Sequence, residues 1–324
     1  MTVRGWFVVA AMFVALACGW PASGEPTRTD GPAAEAPAPS APAGRRGGGG
    51  ARTGDWVREI RLQSGGIERT ALLHVPSGAT EGQKLPLVVL FHGGQGKRGD
   101  DAYKMASRWD HLRDQGFVMV FPNGIGTGER AWAGPDDKRD LDFTRDLIAE
   151  VDRQVGIDRD RVYAAGFSNG SGMVWMLECF EADRFAGFGH VQQSMAKEVR
   201  QKCKPDKHVP TIWFHGDADA KAQWDGNAGT LGVPKTMEFE LDYQKCDASK
   251  AEVTELTDLP GDATQVTRTV YPSCKEVPAI ELYRIHGGAH HWPTTERTRE
   301  AEGKCSDIDA STEMVRFWRA YAGL

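Results

Sequence analysis

The pentapeptide Gly166-Phe167-Ser168-Asn169-Gly170 constrains this chain more than any other stretch. It follows a strand-like run, Arg161 to Ala165, and opens an apolar segment, Met173 to Leu177, that reads as a helix. A serine flanked in this way by glycines, where a strand turns into a helix, sits on a bend too sharp for larger neighbours, and its hydroxyl is pushed out over the sheet. Such a hydroxyl is a weak nucleophile until a nearby base takes its proton. The motif therefore carries chemistry only if a histidine, a carboxylate and backbone donors for an oxyanion accompany it; alone it is a Gly-rich turn.

The rest of the chain supplies a frame for that bend. Leu85–Phe91 and Phe117–Phe121 are short, continuous apolar runs, as parallel strands covered on both faces require. Val162–Ala165, Thr211–Phe214 and Ala279–Ile285 are further runs. Between them Phe143, Leu147, Ile148 and Val151 recur at helical spacing, and Met314, Val315, Phe317, Trp318 and Tyr321 mark a final amphipathic helix. This alternation predicts an α/β fold, a doubly wound and mostly parallel sheet with helices on both faces, in one domain over 55–324. Asp140 and Asp142, at the start of a helix, read as capping and dipole residues.

Residues 1–24 read as a signal peptide: one cation, Arg4, then an apolar run from Trp6 to Ala17 that is too short for a transmembrane segment. Ala15-Leu16-Ala17 and Ala22-Ser23-Gly24 are alternative cleavage sites. Cys18 directly after Ala17 also admits a lipid anchor, although Ala15 stands where a lipobox prefers leucine. The expectation is export, either secreted or periplasmic, or membrane-anchored through Cys18. Residues 25–54, rich in Pro, Ala and Gly, read as a disordered linker. The formal net charge of −6 argues against a nucleic-acid or anionic-membrane partner. Outside the leader stand Cys179, Cys203, Cys246, Cys274 and Cys305, an odd set with no C-x-x-C spacing. Export permits disulfides, zinc is not expected, and spacing alone leaves the connectivity open.

In an open α/β sheet, ligands bind beyond the carboxyl ends of the strands. The first apolar run ends in His92-Gly93-Gly94-Gln95-Gly96, where glycines let backbone N–H groups face a ligand. The oxyanion donors expected are Asn169 and the Gly94–Gln95 region, with His92 bracing the loop through its ring nitrogens. The run ending at Phe214 continues into His215-Gly216-Asp217-Ala218-Asp219. Either aspartate could orient an imidazole; Asp219 is the choice, although Asp and Gly also serve as ordinary turn residues. The last run leads to His286-Gly287-Gly288-Ala289-His290-His291-Trp292-Pro293. Trp132, Trp224 and Trp292 are candidates for a flat apolar platform near the site, with core packing the competing role. The order Ser168, Asp219, His290 is that of the α/β-hydrolases.

With these residues in place the chain resembles the secreted α/β-hydrolase esterases grouped with polyhydroxybutyrate depolymerases, feruloyl esterases and acetylxylan esterases. The resemblance runs from about Trp56 to Tyr321. It is carried by Glu68-Arg69-Thr70 before Val75-Pro76, by Phe91-His92-Gly93-Gly94, and by the Ser168 pentapeptide. Phe214-His215-Gly216 before Asp219, the Gly287–Pro293 segment and Ile308-Asp309-Ala310 complete it. It implies the α/β-hydrolase fold, His290 as the catalytic histidine, Asp219 as the acid and no role in catalysis for His291. It also implies a Cys246–Cys274 disulfide and, by looser analogy, Cys179–Cys203, leaving Cys305 unpaired.

The chain departs from the family pattern at Ser171, at Ala220-Lys221-Ala222-Gln223-Trp224, and at Gly187 to Gln193. The expected activity is an exported serine esterase acting on a small or polymeric ester, of feruloyl or acetylxylan type, with no metal or organic cofactor. A polyhydroxybutyrate depolymerase would share every one of these residues. A serine peptidase and a catalytically silent surface binding protein are the other readings.

Overall fold

A computed structural model describes residues 56–94, 96–97, 101–126, 129–259, 261, 263–295 and 303–324. The leader, the linker and Cys18 lie outside the described residues, as does Gln95. In chain order the first half comprises β1 (Arg58–Ser64), β2 (Ile67–His74), β3 (Leu85–Phe91), the two-residue β4 (Gly96–Lys97), α1 (Asp101–Ser107), β5 (Val118–Pro122), the two-residue β6 (Glu129–Arg130) and α2 (Arg139–Val155). The second half comprises β7 (Ile157–Phe167), α3 (Asn169–Phe180), β8 (Gly187–Val191), α4 (Lys197–Lys202), β9 (Thr211–Gly216), α5 (Val233–Tyr243), β10 (Glu252–Glu255), β11 (Gln265–Tyr271), β12 (Ile280–His286) and α6 (Ala310–Tyr321).

Ten strands form one sheet in the order β1-β2-β5-β3-β7-β8-β9-β12-β11-β10. The six strands from β5 to β12 in that order are mutually parallel, and antiparallel strands close both edges. All seven residues of β3 are buried, because the pleat sends them alternately into two cores. Leu87, Val89 and Phe91 join Leu147 of α2 and Trp175 of α3 in one core. Val88 and Leu90 join Met105 of α1 and Trp318 of α6 in the other. This is the expected α/β-hydrolase architecture, with helices on both faces and the strand ends that carry the site aligned along one edge.

β8 has no apolar run to announce it, and the reason is steric. A Cβ on Gly187 would lie 2.6 Å from the Trp318 ring, and one on Gly189 would lie 2.9 Å from the Met314 sulfur. The glycines let α6 press onto the sheet.

Asp140 is not a cap, contrary to expectation. Lys138 holds the N-cap position of α2, and the Asp140 carboxylate is buried, accepting from Arg69 at 2.7 Å and from the Ala133 N–H at 2.7 Å. The Arg69 guanidinium in turn covers the Phe143 ring at 3.8 Å. Asp142 is exposed and pairs with Arg145. Cys179, near the end of α3, is bonded to Cys203, and Cys246 to Cys274, while Cys305 is buried and outside any disulfide. Among the described residues no helix is long and apolar enough to cross a membrane.

Candidate active site

β7 ends and α3 begins on either side of Ser168, whose φ of 53° and ψ of −120° lie where few non-glycine residues go. The flanking glycines have no alternative. A Cβ on Gly166 would lie 2.2 Å from the Gly170 carbonyl oxygen, and one on Gly170 would lie 2.3 Å from that of Phe91. The Ser168 N–H donates to the Val191 carbonyl at 2.8 Å, which locks the bend to β8.

The loops after β9 and β12 bring a carboxylate and an imidazole to that hydroxyl. His290 Nε2 lies 2.9 Å from Ser168 Oγ, and His290 Nδ1 lies 2.6 Å from Asp219 Oδ2. The other Asp219 oxygen accepts the backbone N–H groups of Lys221 and Ala222, at 2.8 and 2.9 Å. Burial pushes the Asp219 carboxyl up, but the His290 hydrogen bond and these two N–H groups outweigh it and hold it below the ordinary carboxylate range. An ionised acceptor fixes the proton of neutral His290 on Nδ1 and leaves Nε2 facing the serine. Asp217, the competing aspartate, faces elsewhere. It accepts from His286 Nδ1, from Arg284 and from the Gly287 N–H, so it secures the end of β12.

Asn169 is the first residue of α3, so its backbone N–H has no acceptor within the helix and stands at the positive end of the helix dipole. Gly94 packs beside it, close enough that a Cβ there would lie 3.2 Å from Asn169 Cβ. His92 is a brace. Its Nδ1 donates to the Gly93 carbonyl at 2.6 Å and its Nε2 accepts the Gly124 N–H at 2.9 Å.

The three tryptophans are not assembled into a platform. Trp132 is buried: its indole N–H donates to the His92 carbonyl and its backbone N–H donates to the Asn169 side chain, so it supports the loop from behind. Trp224 packs at the edge of a core under Arg284. Trp292 alone lines the cleft of about 1050 Å³ that opens over Ser168 and His290.

Three positions that matter here, Gln192, Ser171 and His190, were read from sequence only as departures. Gln192, with a φ of 55°, donates its amide to the carbonyls of Ala289 and His291 and accepts the Gly216 N–H at 3.0 Å. One side chain thus ties the ends of β8 and β9 to the loop that carries His290. Ser171 and His190 are partners in the core beneath: Ser171 Oγ lies 3.1 Å from His190 Nδ1, and His190 Nε2 lies 3.0 Å from Glu178. Burial pulls His190 down to about 3 and pushes Glu178 up to about 8, so the fold disfavours the charged form of each. Ser171 also donates to the Gln193 carbonyl. With Glu178 protonated the proton order is Glu178 to His190, His190 to Ser171 and Ser171 to Gln193, away from the cleft.

Among the described residues no group of three or more His, Cys, Asp or Glu side chains converges on a metal position.

No family model matches the chain. Feruloyl esterase B of Piromyces equi is 29% identical over 238 residues, which is 68% of this chain but 42% of that protein, so the chain spans less than half of its length. NocK of Nocardia uniformis subsp. tsuyamanensis, to which esterase activity is ascribed, is 27% identical over 90% of both chains. Among solved structures, acetyl xylan esterase from Aspergillus awamori superposes with a TM-score of 0.54 at 14% identity, over 72% of this chain and 94% of its own. That likeness shows the α/β-hydrolase fold. The chain is related to feruloyl esterases, acetylxylan esterases and poly(3-hydroxyalkanoate) depolymerases alike.

Proposed function

We propose that this chain is an exported serine esterase, with Ser168 as nucleophile, His290 as general base and then acid, and Asp219 as the residue that orients and stabilises the imidazole. The observation that carries the reading is the unbroken hydrogen-bonded line from Ser168 through His290 to Asp219 at the floor of an open cleft. Esterase relatives support the reaction class. As Ser168 Oγ bonds to the ester carbonyl carbon, its proton passes to His290 Nε2, and Asp219 stabilises the imidazolium. The Asn169 and Gly94 N–H groups receive the oxyanion. Collapse breaks the bond to the alcohol, which takes the proton from His290, and water repeats the sequence on the acyl-enzyme. Two disulfides suit an oxidising compartment.

Product release from methyl ferulate, acetylated xylan and hydroxybutyrate oligomers, with Ser168→Ala as the blank, tests this. Ferulate or acetate release places the chain with the plant-ester enzymes, and hydroxybutyrate release with the depolymerases. The serine variant should lose on the order of 10⁵–10⁶ in kcat. Silence on all three from folded protein would turn the reading toward a binding role.

A further inference from the structure

The walls of the cleft are cationic. Among the described residues Lys104, Arg108, His111, Lys221, His291 and Lys304 line it, and no aspartate or glutamate does, in a chain whose formal net charge is −6. His111 is answered by Asp309 at 3.2 Å. Among the described residues none of the three lysines has a carboxylate within ion-pair distance. Burial, and then the charge of Lys304, hold His291 below the usual imidazole range.

Arg108 packs against the rings that flank the triad. Its guanidinium carbon lies 4.6 Å from the ring centre of Phe167, the residue before the nucleophile, and 5.1 Å from that of Trp292, two residues after His290. The Phe167 ring is itself 5.1 Å from the His290 imidazole. The group is half-buried, and burial pulls it down to about 10. Among the described residues it has no carboxylate partner and its side chain makes no hydrogen bond. Taking a cation out of water without a partner is costly, and ring stacking recovers only a part of that cost. Rings engage the faces of a guanidinium and leave its in-plane N–H fork free for a carboxylate.

We propose that Arg108, within this lysine-lined cleft, selects esters that carry a carboxylate a few bonds from the scissile bond. The proposal rests on the esterase reading above and adds the substrate's charge to it. The carboxylate can belong to the acyl side, as in a hemiester of a dicarboxylic acid, or to the alcohol side, as in a hydroxy-acid oligomer with a free end.

Two matched substrate pairs separate these sources: 4-nitrophenyl hydrogen glutarate against 4-nitrophenyl valerate, and the linear 3-hydroxybutyrate dimer against its methyl ester. In at least one pair kcat/KM should favour the anion tenfold or more, and the preference should shrink with added salt. The pair that shows the preference identifies the side. Arg108→Gln should bring that ratio close to one, whereas Arg108→Lys should keep most of it; using the ratio cancels any general loss from disturbed stacking. Equal turnover within both pairs, or a ratio that Arg108→Gln leaves intact, would overturn the proposal. Binding is read separately on Ser168→Ala by tryptophan fluorescence, with monoethyl glutarate against diethyl glutarate. Tighter, Arg108-dependent binding of the monoanion in a protein that cleaves no ester would sustain the anion site and defeat the esterase reading. Ester cleavage with no charge preference and no such binding would do the reverse.

Discussion

Gln192 grips the chain on both sides of His290, donating to the Ala289 carbonyl at 3.0 Å and to the His291 carbonyl at 3.2 Å. On the triad reading the imidazole has to meet Ser168 and Asp219 together, which leaves its loop no room to drift. Asparagine tolerates the positive φ at position 192 but is one methylene too short to reach both carbonyls. Gln192→Asn should therefore fold normally and lower kcat by about tenfold to a hundredfold with a smaller change in KM. Steady-state kinetics beside a thermal melt separates this positioning effect from loss of fold. An unchanged kcat would show that the loop holds itself.

The two aspartates after β9 should behave differently. Asp219→Asn removes the acceptor that fixes the His290 tautomer and should cost about 10⁴ in kcat. Asp217→Asn weakens contacts to Arg284, His286 and Gly287, and should lower thermal stability far more than turnover. Measuring kcat and Tm for both variants checks the assignment, and an inverted pattern would exchange the two roles.

Gly166→Ala and Gly170→Ala each place a methyl group against backbone that cannot swing aside, at 2.2 and 2.3 Å. The cost should exceed the usual overpacking range, at about 3 kcal/mol or more. For a domain of this size that is a fall in Tm on the order of 10 °C, read by calorimetry. Gly172, which has open space around it, should accept alanine without such a loss.

The core relay predicts a pH signature. Burial raises Glu178 from 4.5 to about 8 in the folded protein. A raised carboxyl lends stability that is whole below the unfolded value and drains away as pH climbs through the folded one. Wild-type Tm should therefore decline between pH 5 and pH 9 more steeply than that of Glu178→Gln. The amide of the variant can still donate to His190, so the two proteins are comparable. Parallel Tm profiles over that range would mean Glu178 is ionised in the fold.

Much of the site was legible in sequence because its requirements are local. The Gly166–Gly170 bend, the Asp219 loop and the His290 loop each follow an apolar strand, and each is a short run of residues with little other use. Gln192 and His190 were not legible, for a physical reason: their roles exist only across strands. Gln192 becomes meaningful when β8, β9 and the His290 loop are side by side, and Ser171 and His190, 19 residues apart, read as unrelated oddities until the fold joins them. The tryptophans were legible only in part. Aromatic character told of burial, and only packing could say that Trp292 faces the cleft while Trp132 braces it from behind. The antiparallel edge strands were missed because β1 and β10, with largely exposed side chains, lack the continuous apolar runs of the centre.

The bend around Ser168 is backbone wedged against backbone, whereas the cleft's charges come from four separate places: α1, the turn after it, the β9–α5 connection and the segment before α6. The lysines among them, Lys104, Lys221 and Lys304, can therefore change without disturbing that bend. The cleft can thus be recharged one residue at a time while the backbone around Ser168 keeps its shape.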